Sequence, residues 1–471
     1  MSTVIDVDTA REQLTDFSGE LIGRSDASYD EAQKVFNAYI QKRPLLVARP
    51  ANPADVATAI AFARRHELPL AVRGGGHNGA GLGTCDDGVV IDLSKFRDIE
   101  VNADARTVTV GGGCRWGEVD QATNAFGMAT PSGIISTTGV GGLTLGGGLG
   151  HLTRRCGLSI DNVLGAEMVL ADGRHVTVNA EQEPDLYWAI RGGGGNFGVV
   201  TSFTFRLHDV STVIGGPTFW PVEQTEEVLS AYREFLPNAP RELNGFFALH
   251  IVPPGDPFPE AIHLRKVCGV VWCFTGDDEA AAARAMAPLL DSLPEPLLHG
   301  VAPMPHPVLQ GAFDALYPAG DQWYWRADFV NQVPDDAVRI HSQFGASIPT
   351  TKSTMHMYPV DGAAHDVRAD ETAWSYRDAT WGSVYAGVDP DPANAGKIKQ
   401  WTVDYFDALH AYSAGGAYVN MMMDEGQDRV MASYRDNYPR LAAIKAAYDP
   451  ENVFSINQNV RPQQPVPEQR P

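Results

Sequence analysis

The run Arg73-Gly74-Gly75-Gly76-His77-Asn78-Gly79-Ala80-Gly81 follows an apolar segment, Leu68-Pro69-Leu70-Ala71-Val72. Consecutive glycines strip side chains from a loop at a strand end, so main-chain N–H groups can approach a ligand's phosphates. The arginine entering the loop suits a pyrophosphate, and the histidine leaving it is a candidate nucleophile or base. The segment also contains Gly74-x-Gly76-x-x-Gly79, a literal Rossmann fingerprint, which requires a helix to open at the third glycine. The residues between Gly79 and the next strand, Val89-Val90-Ile91-Asp92-Leu93, are too glycine-rich and too few for one. Context excludes the Rossmann reading.

Upstream of the loop, Asn52-Pro53 reads as a helix N-cap and first turn, with Val56, Ile60 and Ala63 at helical spacing. Downstream come strands at Val89 to Leu93 and Thr107 to Gly111, then a helix at Glu118 to Phe126. A second glycine-rich stretch runs from Pro131-Ser132-Gly133-Ile134-Ile135 through Thr138, Gly141, Gly142 and Gly147 to Gly150. A hairpin across Asp172-Gly173 leads to a third, Arg191-Gly192-Gly193-Gly194-Gly195-Asn196-Phe197-Gly198, before a strand at Val199 to Leu207. Three such clusters, each beside a strand, point to one extended dinucleotide touching main chain at several places.

Beyond Leu207 the clusters vanish and aromatics rise. Helices at Thr225 to Phe235, Glu279 to Leu293 and Asp335 to Phe344 alternate with strands at Gly245 to Ile251, Val267 to Phe274, Trp323 to Phe329, Ser353 to Pro359 and Ala363 to Val367. The pattern predicts an α+β unit on an antiparallel sheet. At 471 residues the chain is too long for one core. A formal charge of −22 argues against nucleic acid and anionic membrane as partners. No run reaches transmembrane length, the N-terminus carries no secretory pattern, and five scattered cysteines read as reduced thiols, so a cytoplasmic protein without a metal site is expected. The Pro/Gln-rich tail reads as disordered.

Together these motifs resemble the FAD-linked oxidases of the vanillyl-alcohol-oxidase/PCMH superfamily, in the berberine-bridge-enzyme-like branch. The resemblance extends to Asp161-Asn162-Val163, Val199-Val200-Thr201, Tyr418-Val419-Asn420, Tyr448-Asp449-Pro450-Glu451-Asn452 and Asn457-Gln458-Asn459. It implies a PCMH-type FAD-binding domain over residues 1–211, a substrate domain with a helix-covered antiparallel sheet over 212–410, and a segment over 411–471 that returns to the first. It places FAD against Arg73 to Asn78, Gly81, Gly133, Ile135, Thr138, Gly141, Gly142, Gly147, Gly150, Asn162, Val200, Asn457 and Asn459. His77 would bond covalently to the flavin. Many members add a cysteinyl bond near the place of Ile135; no cysteine stands there, so a single link is expected, with Cys114 a buried small residue.

The resemblance also implies oxidation of an alcohol, sugar or similar small molecule by hydride transfer to flavin, with O2 or another acceptor. A flavin dehydrogenase, or a flavin-binding protein without turnover, is the alternative. Where members commonly carry a basic tyrosine after Tyr-x-Asn, this chain has Met421, and a thioether takes no proton. His365, read on a strand with Ala363 and Val367, is the expected base. Tyr324, Tyr418 and His356 are the fallbacks, and Arg326, His356 and Met421 are expected to line the substrate cleft. The sequence leaves oligomeric state and substrate open.

Overall fold

The structure, a computed structural model, describes residues 7–464, so the N-terminal Met1 to Asp6 and the tail beyond Gln464 lie outside it. A four-stranded sheet comes first: β1 (Glu20–Gly23), β2 (Leu46–Arg49), β3 (Leu70–Arg73) and β4 (Val89–Asp92), in the order β1-β2-β4-β3. The helix Pro53–Arg65 crosses between the parallel strands β2 and β3, and the Asn52 side chain caps it by accepting from Asp55 N–H. Between Gly79 and β4 there is no helix, as the glycine pattern predicts.

A second, antiparallel sheet holds β5 (Ile99–Asn102), β6 (Thr107–Gly111), β7 (Val163–Val169), β8 (His175–Asn179) and β9 (Val199–Arg206), in the order β5-β6-β9-β7-β8. Chain direction then passes to an eight-stranded antiparallel sheet. Its members are β10 (Thr212–Pro221), β11 (Leu243–Ile251), β12 (Lys266–Thr275), β13 (Leu298–His299), β14 (Ala302–Pro305), β15 (Gln322–Val330), β16 (Thr354–Pro359) and β17 (Trp381–Asp389). They run β13-β10-β12-β11-β16-β17-β15, with β14 beside β10.

Strand alternation gives this sheet two faces. Met355, Met357 and Tyr385 join Val228, Tyr232, Val338 and Tyr405 in a core under the helices Thr225–Phe235, Asp335–Ala346 and Ala395–Leu409. Tyr358, Val384 and Ala386 face the other way and share a core with Val108, Phe203 and Phe205 of the second sheet. Each fully buried apolar side chain contributes roughly 1.5–3 kcal/mol, so both faces are firmly held. The molecule is α+β.

The expected strand at 363–367 is absent; Gly362–Asp366 form a 3-10 turn instead. Gly362 has φ +69° and lies against Arg154 main chain, where a Cβ would come within 2.4 Å of Arg154 O. Arg154 Nε pairs with Asp361 Oδ1 at 2.8 Å, and Arg377 Nη1 donates to Ala364 O at 3.2 Å. Tertiary anchors override the alternating pattern.

The C-terminal helices Gln427–Tyr434 and Tyr438–Tyr448 return to the first half. Lys445 Nζ, fully buried, donates to Asn196 O (2.7 Å), Phe454 O (3.0 Å) and Asp449 Oδ2 (2.6 Å). This cation ties the third glycine cluster to the segment that follows the last helix. Among the described residues no helix is long and apolar enough to cross a membrane.

Candidate functional site

A cavity of about 300 Å³ opens between the glycine loops and the inner face of the eight-stranded sheet. The loop wall contains Gly74 to Asn78, Gly133, Ile135, Thr138, Gly141, Gly142, Val200 and Asn457. A Cβ added to Gly142 or Gly195 would meet no protein atom within 4 Å, so these main-chain faces border open space. Gly75 differs: its Cβ would lie 2.3 Å from Gly139 N, because the first and second loops touch there.

His77 leaves the first loop with its ring 3.9 Å from that of Phe36, nearly parallel at 18°. Thr137 Oγ1 lies 3.2 Å from Nε2 and Thr138 Oγ1 3.5 Å from Nδ1. Burial, helped by the nearby positive charge of Arg115, pushes its pKa down to about 3. The imidazole is therefore neutral and keeps a lone pair, as a nucleophile requires.

Arg73 borders the cavity with its stem, but its guanidinium turns away. It donates to Asp92 Oδ2 (3.0 Å), Ala32 O (2.6 Å) and Lys34 O (3.2 Å). The expectation that it grips pyrophosphate gives way to a buried ion pair across the β3–β4 register, where Arg73 faces Asp92. Burial would raise Asp92, yet Arg73 and Arg49 overcome it and hold the carboxyl below its ordinary value.

Other expected contacts also stand off the cavity. Asn162 Nδ2 caps Cys156 O and Leu158 O, both at 2.9 Å, while its Oδ1 meets His208. Gly81 abuts Ile40 with φ +68°, Gly147 abuts Tyr418, and a Cβ on Gly150 would strike Ser132 O. The main-chain oxygen of Asn459 accepts from Gln427, and Asn459 is not part of the wall. These residues shape loops rather than touch the open space.

On the sheet side, alternation decides. Trp323 and Trp325 of β15 border the cavity, whereas Tyr324 and Arg326 point to the opposite face. Tyr324 packs under Arg326 and Lys399, and Arg326 pairs with Glu425 at 2.8 Å. Tyr324 as base and Arg326 as a substrate contact are thus corrected by strand parity. His365 is exposed on the 3-10 turn, its Nε2 2.9 Å from Ala379 O, and is not part of the wall.

Three expected residues do meet at the cavity: His356, Tyr418 and Met421. His356 Nδ1 lies 2.6 Å from Tyr358 Oη, which leaves Nε2 without a protein partner. Burial, with a smaller effect from His250, pushes His356 down to about 3. Tyr418 Oη accepts from Gly148 N–H and from Asn420 Nδ2, each at 2.8 Å. Burial raises Tyr418 above the usual phenol value, although both donors work against it. With its lone pairs occupied, its own O–H is free to donate.

Sequence reasoning missed Phe36 and Asn37. Asn37, fully buried, donates to Gly79 O (2.8 Å) and Trp323 O (3.1 Å) and accepts from Trp323 N (2.9 Å). It staples the histidine loop to β15. No local pattern marks either residue, since both act only through contacts distant in sequence.

The site fits an extended phosphate-bearing cofactor. Main chain lies bare at Gly142 and Gly195, and buried Asn457 Oδ1 and Tyr434 Oη, both on cavity-lining residues, have no protein partner. A family model described as an FAD binding domain matches residues 44–179, and one described as berberine and berberine like matches 417–461. An FAD-linked oxidoreductase of Dictyostelium discoideum is 32% identical over 433 residues, 91% of each chain. The (R)-6-hydroxynicotine oxidase of Paenarthrobacter nicotinovorans is 27% identical over 464 residues, 94% of this chain and 97% of that one. A crystal structure of 6-hydroxy-D-nicotine oxidase from Arthrobacter nicotinovorans superposes with a TM-score of 0.85 at 25% identity, covering 95% of this chain and 98% of that one.

The chain belongs to the berberine-bridge-enzyme-like FAD-linked oxidoreductases of the PCMH superfamily.

Proposed function

We propose that this enzyme holds FAD through one covalent bond from His77 and oxidises a hydroxyl- or amine-bearing carbon of a small organic molecule, with O2 as acceptor. For an alcohol the net change converts one alcohol and one O2 into one carbonyl compound and one hydrogen peroxide. The observation that carries the reading is the facing of His77 and His356 across one cavity whose loop wall is main chain. Residues 1–211 would form the cofactor half, 212–410 the substrate half, and 411–471 the strap that closes the cofactor half.

Bound flavin supplies a two-electron sink for the substrate's hydride. The glycine loops hold its phosphates by main-chain N–H groups, and the neutral His77 ring, set by Phe36 and Thr137, offers the bonding nitrogen. Ile135 borders the cavity where a second, cysteinyl link would arise, and Cys114 is buried with its thiol pushed up to about 11 by burial. One bond is therefore expected.

His356 takes the substrate's proton at Nε2. Its Nδ1–H then donates to Tyr358 Oη and shares the charge, which burial makes costly to keep. Tyr418 donates its O–H toward the bound pair and orients it. Met421 supplies apolar wall where a tyrosine base is common in the family.

His77→Ala tests the linkage. The parent, precipitated in acid, keeps yellow colour in the pellet, whereas the variant releases it. A colourless parental pellet overturns the covalent bond. Reoxidation rates with O2 and with a dye acceptor decide the terminal step.

A further inference from the structure

A second cavity, of about 530 Å³, opens where the turn between β5 and β6, the end of β9 and the helix Thr153–Cys156 meet. It shares no lining residue with the cofactor cavity. Strand parity brings Arg206 there: Phe203 and Phe205 are buried, so Arg206 emerges on the exposed face of β9, opposite Thr107. Arg106 holds the turn at φ +54°, and its carbonyl accepts from Leu207 N–H at 2.8 Å, which ties turn to strand end. Arg155 comes from the helix, with Nη1 donating to Thr275 O at 3.1 Å.

Three guanidinium groups thus line the pocket against one carboxylate. Asp209 pairs with Arg106 at 2.9 Å, but both side chains are more than half exposed, and water weakens such a pair. Arg155 and Arg206 have no carboxylate partner among the described residues. His208 feels the whole cluster. Burial first, then Arg206 and Arg155, hold its pKa below the ordinary value, with Asp209 opposing and Arg106 adding a smaller push. Its ring is committed to Asn162, with Nε2 at 2.6 Å from Oδ1. Burial lifts the Cys156 thiol to about 11 despite Arg155, so the pocket offers no thiolate nucleophile. Its chemistry is binding.

We infer that this pocket binds a phosphate group, free or carried by a small organic molecule, through Arg155 and Arg206 with Arg106 at its edge. Guanidinium forks match phosphate oxygens two at a time, and charge-assisted bonds of this kind are the strong ones. No Phe, Tyr or Trp lines the pocket, so recognition falls on the anion and not on a stacked base. A long polyanion would meet the rest of a chain whose formal charge is −22; a small one meets only the arginines.

Calorimetry on the flavin-loaded enzyme at constant chloride tests it, with inorganic phosphate, glycerol 1-phosphate and glycerol as probes. The cofactor's own phosphates then fill the glycine cradle. Both phosphates should bind saturably, one per chain, with Kd about 1 mM or tighter, and glycerol should not bind. Glycerol 1-phosphate at least about tenfold tighter than inorganic phosphate identifies a phosphorylated molecule as the occupant; any smaller advantage identifies the free anion. Arg206→Gln and Arg155→Gln should each weaken binding at least about tenfold, while flavin content and Tm stay at the parental values. The inference is overturned if neither phosphate saturates by about 10 mM, if glycerol binds as tightly as its phosphate, or if either variant binds like the parent. Should one variant fail to fold, the other and the parental titrations decide.

Discussion

One wall of the cavity is main chain and the other is side chain. On the loop wall, Gly142 and Gly195 work by presenting nothing, and the arginine that enters the first loop is turned inward to Asp92. On the sheet wall, the contributions of β15, β16 and β17 depend on which of their residues have inward parity. At Gly142 and Gly195 an added Cβ would enter the cavity itself rather than meet protein, whereas the sheet wall is already filled by rings.

Breaking the loop wall at its foundation gives the largest expected change in stability. Arg73→Met leaves the buried Asp92 with Arg49 alone, and should cost about 3 kcal/mol in denaturant unfolding. A loss within about 0.5 kcal/mol of zero would show that the pair is dispensable. On the sheet wall, His356→Phe should slow flavin reduction roughly 100-fold by stopped flow, with flavin content unchanged. An unaltered rate would move proton transfer to Tyr418.

Acid sharpens the contrast further. His151, His306, His341 and His356 are buried, and burial sets their folded pKa values to about 3, about 4, about 3 and about 3. Unfolded histidine titrates near 6.5, so between that pH and the folded values the unfolded chain binds more protons. Their stabilisation is complete above about pH 6.5 and falls as pH drops, by roughly 1.4 kcal/mol per pH unit for each residue. Urea midpoints measured at pH 7.5, 6.0 and 5.0 should decline steeply; a flat series would show these rings charged in the fold. The smallest effect is expected for exposed His365→Ala, within about 0.5 kcal/mol and with parental turnover. A large fall in turnover there would return the base to the 3-10 turn.

The cradle was legible because its physics is local. Glycines at strand ends must be bare wherever they fold, so Gly74 to Asn78, Gly133, Gly141 and Gly142 were placed from sequence, and all border the cavity. Asn162 and Gly150 carried the same motif signal but serve loop geometry, since a motif marks a turn without telling which of its groups face a ligand. On the sheet, the alternation Ala363-His365-Val367 matched a strand as well as the true ones did. The Arg154–Asp361 pair and the Arg377 bond to Ala364 O bent it into a turn, and these partners lie outside the segment itself.

The amino-acid order alone determined a glycine-built site for an extended cofactor, a histidine at its mouth and an α+β partner unit, because side-chain absence and residue period are properties of short segments. Only the tertiary structure brought Trp325 rather than Tyr324, and His356 rather than His365, to the cavity wall, and turned the Arg73 guanidinium to Asp92. Those choices turn on strand register and on contacts between distant segments, where one step of parity reverses every side chain in a strand.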